Sequence, residues 1–388
     1  MRFEHIIGQQ ALIEQLKDLV DHNRLSHALL LAGKDGSGTL PLALAFSTYI
    51  IEKEKNNTIT EGATLFGDAM PAESEGAKKA DKYIHPDIHY SYPVIPRKPN
   101  DKPVATDYIS EWRNFLEQMP YGNVYDWLQS IGAENKQGNI TAAECGDILR
   151  KLQLKSFESS HKILLMWMPE YLGNEGNKLL KLIEEPPPNT LFILVTEKEE
   201  NILPTILSRC QIIQVPAIET GDIVKALTER NKIDAEQAMQ VAGMCNGNYR
   251  EALQLLQHSE NDWQIVLRDW LNTLLKTDTV GQIKWAEEMN QYGREKQKQF
   301  LQYFIHLIEG SLRVSVMETA TVNISDKEKD FASRLNKLCN VGQLEAIAEE
   351  LEKAIYYIER NANGKMLFAA LSIKLFHIIK HRAVPVVS

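Results

Sequence analysis

Cysteine is scarce in this 388-residue chain: Cys145, Cys210, Cys245 and Cys339 are widely scattered and form no CxxC pair. That spacing excludes a disulfide framework or a cysteine-ligated zinc site as an organising feature, and predicts reduced, mostly buried thiols. Long apolar runs are also missing. None approaches the ~20 residues that a membrane helix requires, and Met1 to Gln10 lacks a basic-then-apolar signal pattern. The expectation is a cytoplasmic protein without membrane contact. The third absence is an excess of positive charge. A formal net charge of -9 argues against a protein that binds nucleic acid by itself, because neutralising phosphates takes clustered Lys and Arg. If the chain works near DNA, its partners must supply most of the phosphate contacts.

What is present suits a folded, multidomain chain. Hydrophobic residues make up 44% and charged residues 24%, which places the sequence among globular rather than disordered proteins. Its length exceeds that of one ordinary core and predicts two or three domains. Ile13, Leu16, Leu19 and Val20 share one face of a first helix. Ala28 to Ala32 is a short continuous apolar run stopped by glycine, as in a buried parallel strand. A Gly-rich turn and an apolar helical stretch from about Leu40 to Ile51 follow it.

From about Glu52 to Gly138 the periodicity weakens amid Pro, Gly, Lys and Asp, and the segment reads as an insertion. Thr141, with Glu144 three residues on, predicts the start of a helix reaching Leu154. Lys162 to Met168 and Leu191 to Thr196 read as further buried strands, separated by a helix from Asn177 to Glu184 that Pro186-Pro187-Pro188 halts. Strands alternating with helices imply an α/β module with a parallel sheet. From Thr220 onward helical spacing dominates. Phe300, Tyr303, Phe304, Leu307 and Ile308 share a face, as do Leu344, Ile347, Leu351 and Ile355, and then Leu371, Leu375, Ile378 and Ile379. These stripes predict a small helical domain ending near residue 260, then a helical bundle.

The turn after the first strand reads Gly33-Lys34-Asp35-Gly36-Ser37-Gly38-Thr39-Leu40. In a P-loop, GxxxxGK[ST], backbone amides surround phosphate, the lysine neutralises it and the hydroxyl ligates magnesium. Here the glycines are in place, while Thr39 stands where the lysine belongs and Leu40 where the hydroxyl belongs. Taken alone, the glycines equally fit a plain strand-to-helix turn. A phosphoryl-transfer site of this class also needs an acidic pair at the end of its next core strand. Leu165-Met166-Trp167-Met168-Pro169-Glu170 offers Trp167 and Met168 at those places, and Glu170, which comes late, reads as a surface residue. Both losses together argue against ATP hydrolysis.

Ser26 to Gly33, Asn177 to Pro187 (NKLLKLIEEPP), Leu207-Ser208-Arg209-Cys210 and Gly247 to Leu253 (GNYREAL) resemble, in order and spacing, the AAA+ clamp-loader subunits of bacterial DNA polymerase III. The resemblance covers about residues 1 to 50 and 140 to 260, and is only architectural beyond. It implies an AAA+ P-loop-like module over 1–208 with an insertion at about 52–138, a helical lid domain over 209–262, and a helical collar or oligomerisation domain over 263–388. It also implies membership of a ring that uses ATP to open a sliding clamp and load it on primer-template DNA during replication. Within the family the altered loop looks most like the stator-like member that does not hydrolyse ATP, packed between a delta-type subunit and an ATPase neighbour of the tau/gamma type.

By the same resemblance Arg209 matches an arginine finger that reaches a neighbour's ATP site, where a guanidinium stabilises charge on the transferring phosphoryl group. The reading from composition alone is a surface arginine paired with a local acid. Arg250 occupies the place of the family's lid arginine, and without a competent P-loop a structural salt bridge is the expected role. Thr196 ends its strand where active relatives place a polar sensor, here vestigial. Many such subunits carry a four-cysteine zinc module after the P-loop helix, but the matching stretch, about 52 to 90, has no cysteine, so a structural zinc is not expected. No cofactor is assigned to the chain, since its partners are expected to hydrolyse the ATP, while an anion on the backbone amides of the glycine turn stays open. His85, Asp87 and His89 read as ordinary chain rather than metal ligands. Trp112, Phe115, Tyr121, Tyr125 and Trp127 in the insertion suit packing on the module or binding a partner. The rival readings are an active AAA+ ATPase with an atypical P-loop, using Lys34, and a DNA-binding protein acting alone.

Overall fold

The computed structural model describes residues 1–60, 75–98, 101–133, 136–257, 260–276, 279–316, 326–360 and 362–381. Parts of the expected insertion (61–74, 99–100 and 134–135) and of the expected C-terminal domain (among them 382–388) lie outside the described residues. The chain divides into two compact units, Met1–Ala238 with Cys245–Leu253, and Met239–Met244 with Gln254–Ser388.

The first unit is built on a parallel sheet of five strands: β1 (Ala28–Gly33), β2 (Ile88–Ser91), β3 (Lys162–Trp167), β4 (Thr190–Thr196) and β5 (Gln211–Val215), in the order β2-β3-β4-β1-β5. Parallel strands need crossover connections, and here they are helical and cover both faces. The pleat sends alternate residues of each strand to opposite sides. Leu29 and Leu31, Ile163 and Leu165, and Ile193 and Val195 pack with Leu12, Ile13, Leu16 and the helix Thr39–Thr60. Ala28, Leu30, Leu164, Met166, Phe192 and Leu194 pack with Ile148, Leu152, Leu182, Ile183 and Ile206 on the other side. Each such fully buried branched side chain contributes about 1.5–3 kcal/mol relative to exposure, which is why β1, β3 and β4 read as unbroken apolar runs.

The edge strands differ. β2 lies inside the stretch read as an insertion, and it pairs with β3 from Ile88 opposite Ile163 to Ser91 opposite Met166. β5 alternates exposed and buried residues against β1. The same stretch also holds the end of the helix Thr39–Thr60 and the helices Glu75–Asp81, Ile109–Gln118 and Val124–Ser130. Trp112, Phe115, Tyr121 and Trp127 are buried in the module and Tyr125 is half-buried. The region is thus part of the fold rather than an appendage. Its aromatic cluster includes Tyr92 stacked on Trp112 at 4.1 Å and Trp112 edge-on to Trp127 at 5.2 Å.

The helix Ala142–Gln153 starts as expected, with Thr141 Oγ1 accepting from the Glu144 N–H at 3.1 Å. The Glu144 carboxylate does not reach back to complete a capping box. It is buried and accepts instead from the Ala105 N–H at 2.7 Å.

The second unit is helical: Glu260–Leu275, Thr279–Gln291, Arg294–Val316, Asp326–Leu338, Val341–Glu359 and Gly364–His381. The expected stripes face its core. Phe300, Phe304, Ile308, Leu344, Ile347, Leu351 and Leu375 are fully buried, while Ile355 and Ile379 sit at its margin. Trp270 stacks on Trp285 at 4.4 Å, and its Nε1–H donates to Ser372 Oγ at 2.9 Å. Among the described residues no helix is long and apolar enough to cross a membrane.

Candidate functional site

The glycine turn leads from β1 into the helix Thr39–Thr60, the geometry that aims backbone amides at an anion. Gly36 and Gly38 both hold positive φ, 69° and 89°, a conformation open to glycine at little cost. Thr39 and Leu40 are buried and Lys34 is exposed. Asn248 lies so close that a Cβ on Gly36 would overlap its Oδ1, and a Cβ on Gly38 would stand 3.0 Å from Tyr121 Cε1. The Tyr249 N–H donates to the Gly36 carbonyl at 3.2 Å, and Gln9 Nε2 donates to the Ser37 carbonyl at 3.3 Å.

Arg250 faces this turn, buried, in an ion pair with Asp126. Its Nη2 donates to Asp126 Oδ1 at 2.8 Å and its Nη1 to Asp35 Oδ2 at 3.4 Å. Asn123 Nδ2 donates to the same Asp35 oxygen at 3.1 Å. Asn123 also caps the helix Val124–Ser130, accepting from the N–H of Tyr125 and Asp126, so the helix start fixes the residue that meets Asp35.

At the end of β3 the expected acidic positions are filled by apolar side chains. Trp167 is buried against Trp112 at 5.2 Å and Phe115 at 5.8 Å. Met168 is buried in a left-handed conformation (φ 58°), its N–H donating to the Val195 carbonyl at 2.8 Å. That turn brings Glu170 back to the end of β4, where it accepts from Thr196 Oγ1 at 3.0 Å. Glu170 is therefore half-buried and tied to Thr196, not the surface residue its late position suggests. Burial pushes its carboxyl above the usual range in spite of these donors. Burial raises Glu197 well above it too, and the nearby charges of Asp35 and Glu170 add to the effect. Glu170 and Glu197 line a cleft of about 660 Å³ at the carboxyl ends of β3 and β4, with Val124, Met168, Tyr171 and Lys198.

Arg209 sits elsewhere, in the turn between the short helix Pro204–Leu207 and β5. Its Nη1 donates to the Thr205 carbonyl at 2.8 Å and its Nη2 to Glu184 Oε2 at 3.2 Å, so the EEPP and SRC elements meet through this pair. The side chain is 30% exposed, and its Nε has no hydrogen-bond partner among the described residues.

The HPD stretch has a structural role. Asp87 is buried and accepts from the N–H of Phe157, Glu158 and Ser159 at 2.6, 2.7 and 2.9 Å, fastening the loop that enters β3. Burial pushes the His89 imidazole down to about 4. Among the described residues no group of three or more His, Cys, Asp or Glu side chains is placed to hold a metal ion.

The glycine turn, Arg250 and Thr196 lie at one end of the sheet, and sequence reasoning does not reveal Asp35, Asn123 and Asp126 as the groups that meet the turn and its arginine. Asp126 lies 124 residues from Arg250, too far for any local pattern to reveal.

A parallel sheet whose strand β1 feeds a glycine turn, covered by helices on both faces and followed by a helical unit, is the architecture of an AAA+ P-loop-type module with a helical C-terminal part. The chain belongs to the DNA polymerase III, delta subunit family, whose model matches residues 8–219, more than half of its length. It is 26% identical over 254 residues to DNA polymerase III subunit delta' of Bacillus subtilis (strain 168), covering 65% of this chain and 60% of that one. It is 26% identical over 267 residues to subunit tau of the same organism, covering 66% of this chain and 38% of that one. Subunit delta' of Haemophilus influenzae (strain ATCC 51907 / DSM 11121 / KW20 / Rd) is 22% identical over 243 residues, with 63% and 59% covered. The chain thus spans less than two thirds of the length of these relatives. The solved structure of a DNA polymerase III gamma subunit-related protein from Thermotoga maritima aligns with 94% of this chain and 99% of its own at 15% identity and a TM-score of 0.38.

Proposed function

We propose that this chain is a non-hydrolysing, stator-like subunit of a DNA polymerase III clamp-loader complex, which helps load the sliding clamp on primer-template DNA and supplies Arg209 to a neighbouring subunit's ATP site. The observation that carries the reading is the pairing of two losses in one module. Thr39 and Leu40 are buried at the turn where a lysine and a magnesium-ligating hydroxyl are needed, and Trp167 and Met168 are buried where an acidic pair is needed. An acid at position 167 would place an uncompensated charge against Trp112 and Phe115. ATP with magnesium does not fit these residues, so no step of hydrolysis is assigned to this chain. Lys34 is exposed on the strand side of the turn and lends nothing to a rival ATPase reading.

Arg209 suits the trans role because its two terminal nitrogens are held in place, Nη1 by Thr205 and Nη2 by Glu184, while the side chain stays partly exposed. Held but accessible, a guanidinium loses less freedom on meeting a phosphoryl group. The partners of this reading are tau/gamma-type and delta-type subunits, with clamp and DNA reached through the complex. The family's three-part division, module 1–208, lid 209–262 and collar 263–388, belongs to the same proposal. The test is purification of the chain alone and with cognate tau/gamma-type and delta-type subunits. The expected result is stable co-purification and no ATP turnover by the isolated chain. Turnover by the chain alone would overturn the reading.

A further inference from the structure

We infer that the segment Tyr121–Asp126 is a built-in occupant of the phosphate turn, closing it against nucleotide in the intact chain. The inference rests on reading Gly33–Gly38 as a former phosphate loop, and it goes beyond loss of hydrolysis to loss of binding. Three side chains from this one segment meet the turn or its facing arginine. Tyr121 packs on Gly38, Asn123 hydrogen-bonds Asp35, and Asp126 takes the guanidinium of Arg250. Arg250 Nε and Nη2 thereby make a two-point fork to a carboxylate, the arrangement an arginine otherwise makes to a phosphate. Its Nη1 is engaged by Asp35, a residue of the turn itself. The charge that would attract phosphate at this end of the sheet is thus held by two internal anions.

The other side of the turn is blocked independently. Asn248 stands over Gly36, the Tyr249 N–H is bound to the Gly36 carbonyl, and the Tyr121 ring meets the Tyr249 ring edge-on at 5.0 Å. The Tyr121 hydroxyl accepts from the Ile7 N–H at 2.9 Å, so the ring cannot swing aside without giving up a buried hydrogen bond. Beyond the turn Glu170 and Glu197 line the neighbouring cleft at the ends of β3 and β4. An entering triphosphate would have to displace the pairs that Arg250 makes with Asp126 and Asp35 and the hydrogen bond from Asn123 to Asp35. The network also keeps Arg250 in place without nucleotide, a task that ligand phosphates would otherwise perform.

The intact chain and its Asp126→Asn and Asn123→Ala variants are titrated calorimetrically with ATP and magnesium up to about 1 mM, where binding is worth about 4 kcal/mol. The wild type should show no binding, Asp126→Asn should bind at least about tenfold more tightly than the wild type, and Asn123→Ala should lie between. Asp126→Asn folded but no better at binding than the wild type would overturn the inference. Should Asp126→Asn not fold, amide hydrogen exchange at residues 36–40 of the wild type, with and without ATP, decides it. Unchanged exchange upholds the closed turn and new protection refutes it. Binding without turnover would sink the closed turn alone and leave the non-hydrolysing reading standing. Turnover would sink both.

Discussion

Among single residues, Asp87 shows how burial and hydrogen bonding compete. Burial alone raises a carboxyl, but the N–H groups of Phe157, Glu158 and Ser159 and the Ser159 hydroxyl outweigh it, and the group is held below its ordinary range. A carboxyl lowered in the folded state contributes stability that is fully present above its unfolded value, about 3.9, and is lost as the pH falls through the folded one. Asp87→Asn should therefore destabilise the chain by about 1–3 kcal/mol near neutral pH, because an amide cannot accept from all these donors. The deficit should begin to shrink below about pH 4, where the wild-type carboxyl of the unfolded chain takes up a proton, and shrink further as the folded one does. Urea unfolding at pH 7 and pH 3 measures it; a deficit equal at both would show that the carboxylate charge is not what fastens the loop. At this scale the sequence shows which residues are missing from a site. It does not show what replaces them, since Asp126 meets Arg250 and Glu170 meets Thr196 only after the chain has turned through the sheet.

Elements were legible where one physical rule acted alone. β1, β3 and β4 are central, covered on both faces, and hence continuous apolar runs. β2, Ile88-His89-Tyr90-Ser91, is a short edge strand with polar residues, and no periodicity marks it amid the Pro and Gly around it. β5 carries Gln211 and Gln214 and alternates for the same reason. The helix expected over Leu40 to Ile51 runs to Thr60 because nothing in Glu52 to Thr60 breaks it. The start of the helix Ala142–Gln153 was readable, since Thr141 is the kind of residue whose oxygen satisfies a free amide. Thr141→Ala should cost about 1 kcal/mol, read as a lowered urea midpoint. No change would mean that the hydrogen bond from Glu144 N adds nothing to water.

In the whole molecule, the proposed division of labour rests on which side chains stand at the glycine turn and at the end of β3. The module has the sheet and the glycine turn, with Thr196 and Arg250 at the same end, and buries Thr39, Leu40, Trp167 and Met168 there. The stretch that resembled extra sequence supplies both the aromatic cluster around Trp167 and the segment Tyr121–Asp126 that meets the turn. Its role could not be read beforehand, because its partners are distant in sequence and its composition fits a surface insertion equally well. In the proposed reading the group offered to a neighbour is Arg209, held by Thr205 and Glu184 and partly exposed.

ATP turnover of the reconstituted complex carrying Arg209→Ala tests this account most directly. Glu184 and Thr205 lose a partner in that variant, so intact assembly is confirmed first by size-exclusion chromatography, and Arg209→Lys, which keeps charge without the planar fork, serves as the conservative comparison. The account predicts an intact assembly whose turnover falls by as much as ~10³ with alanine and is only partly restored by lysine. An intact assembly with unchanged turnover would contradict it.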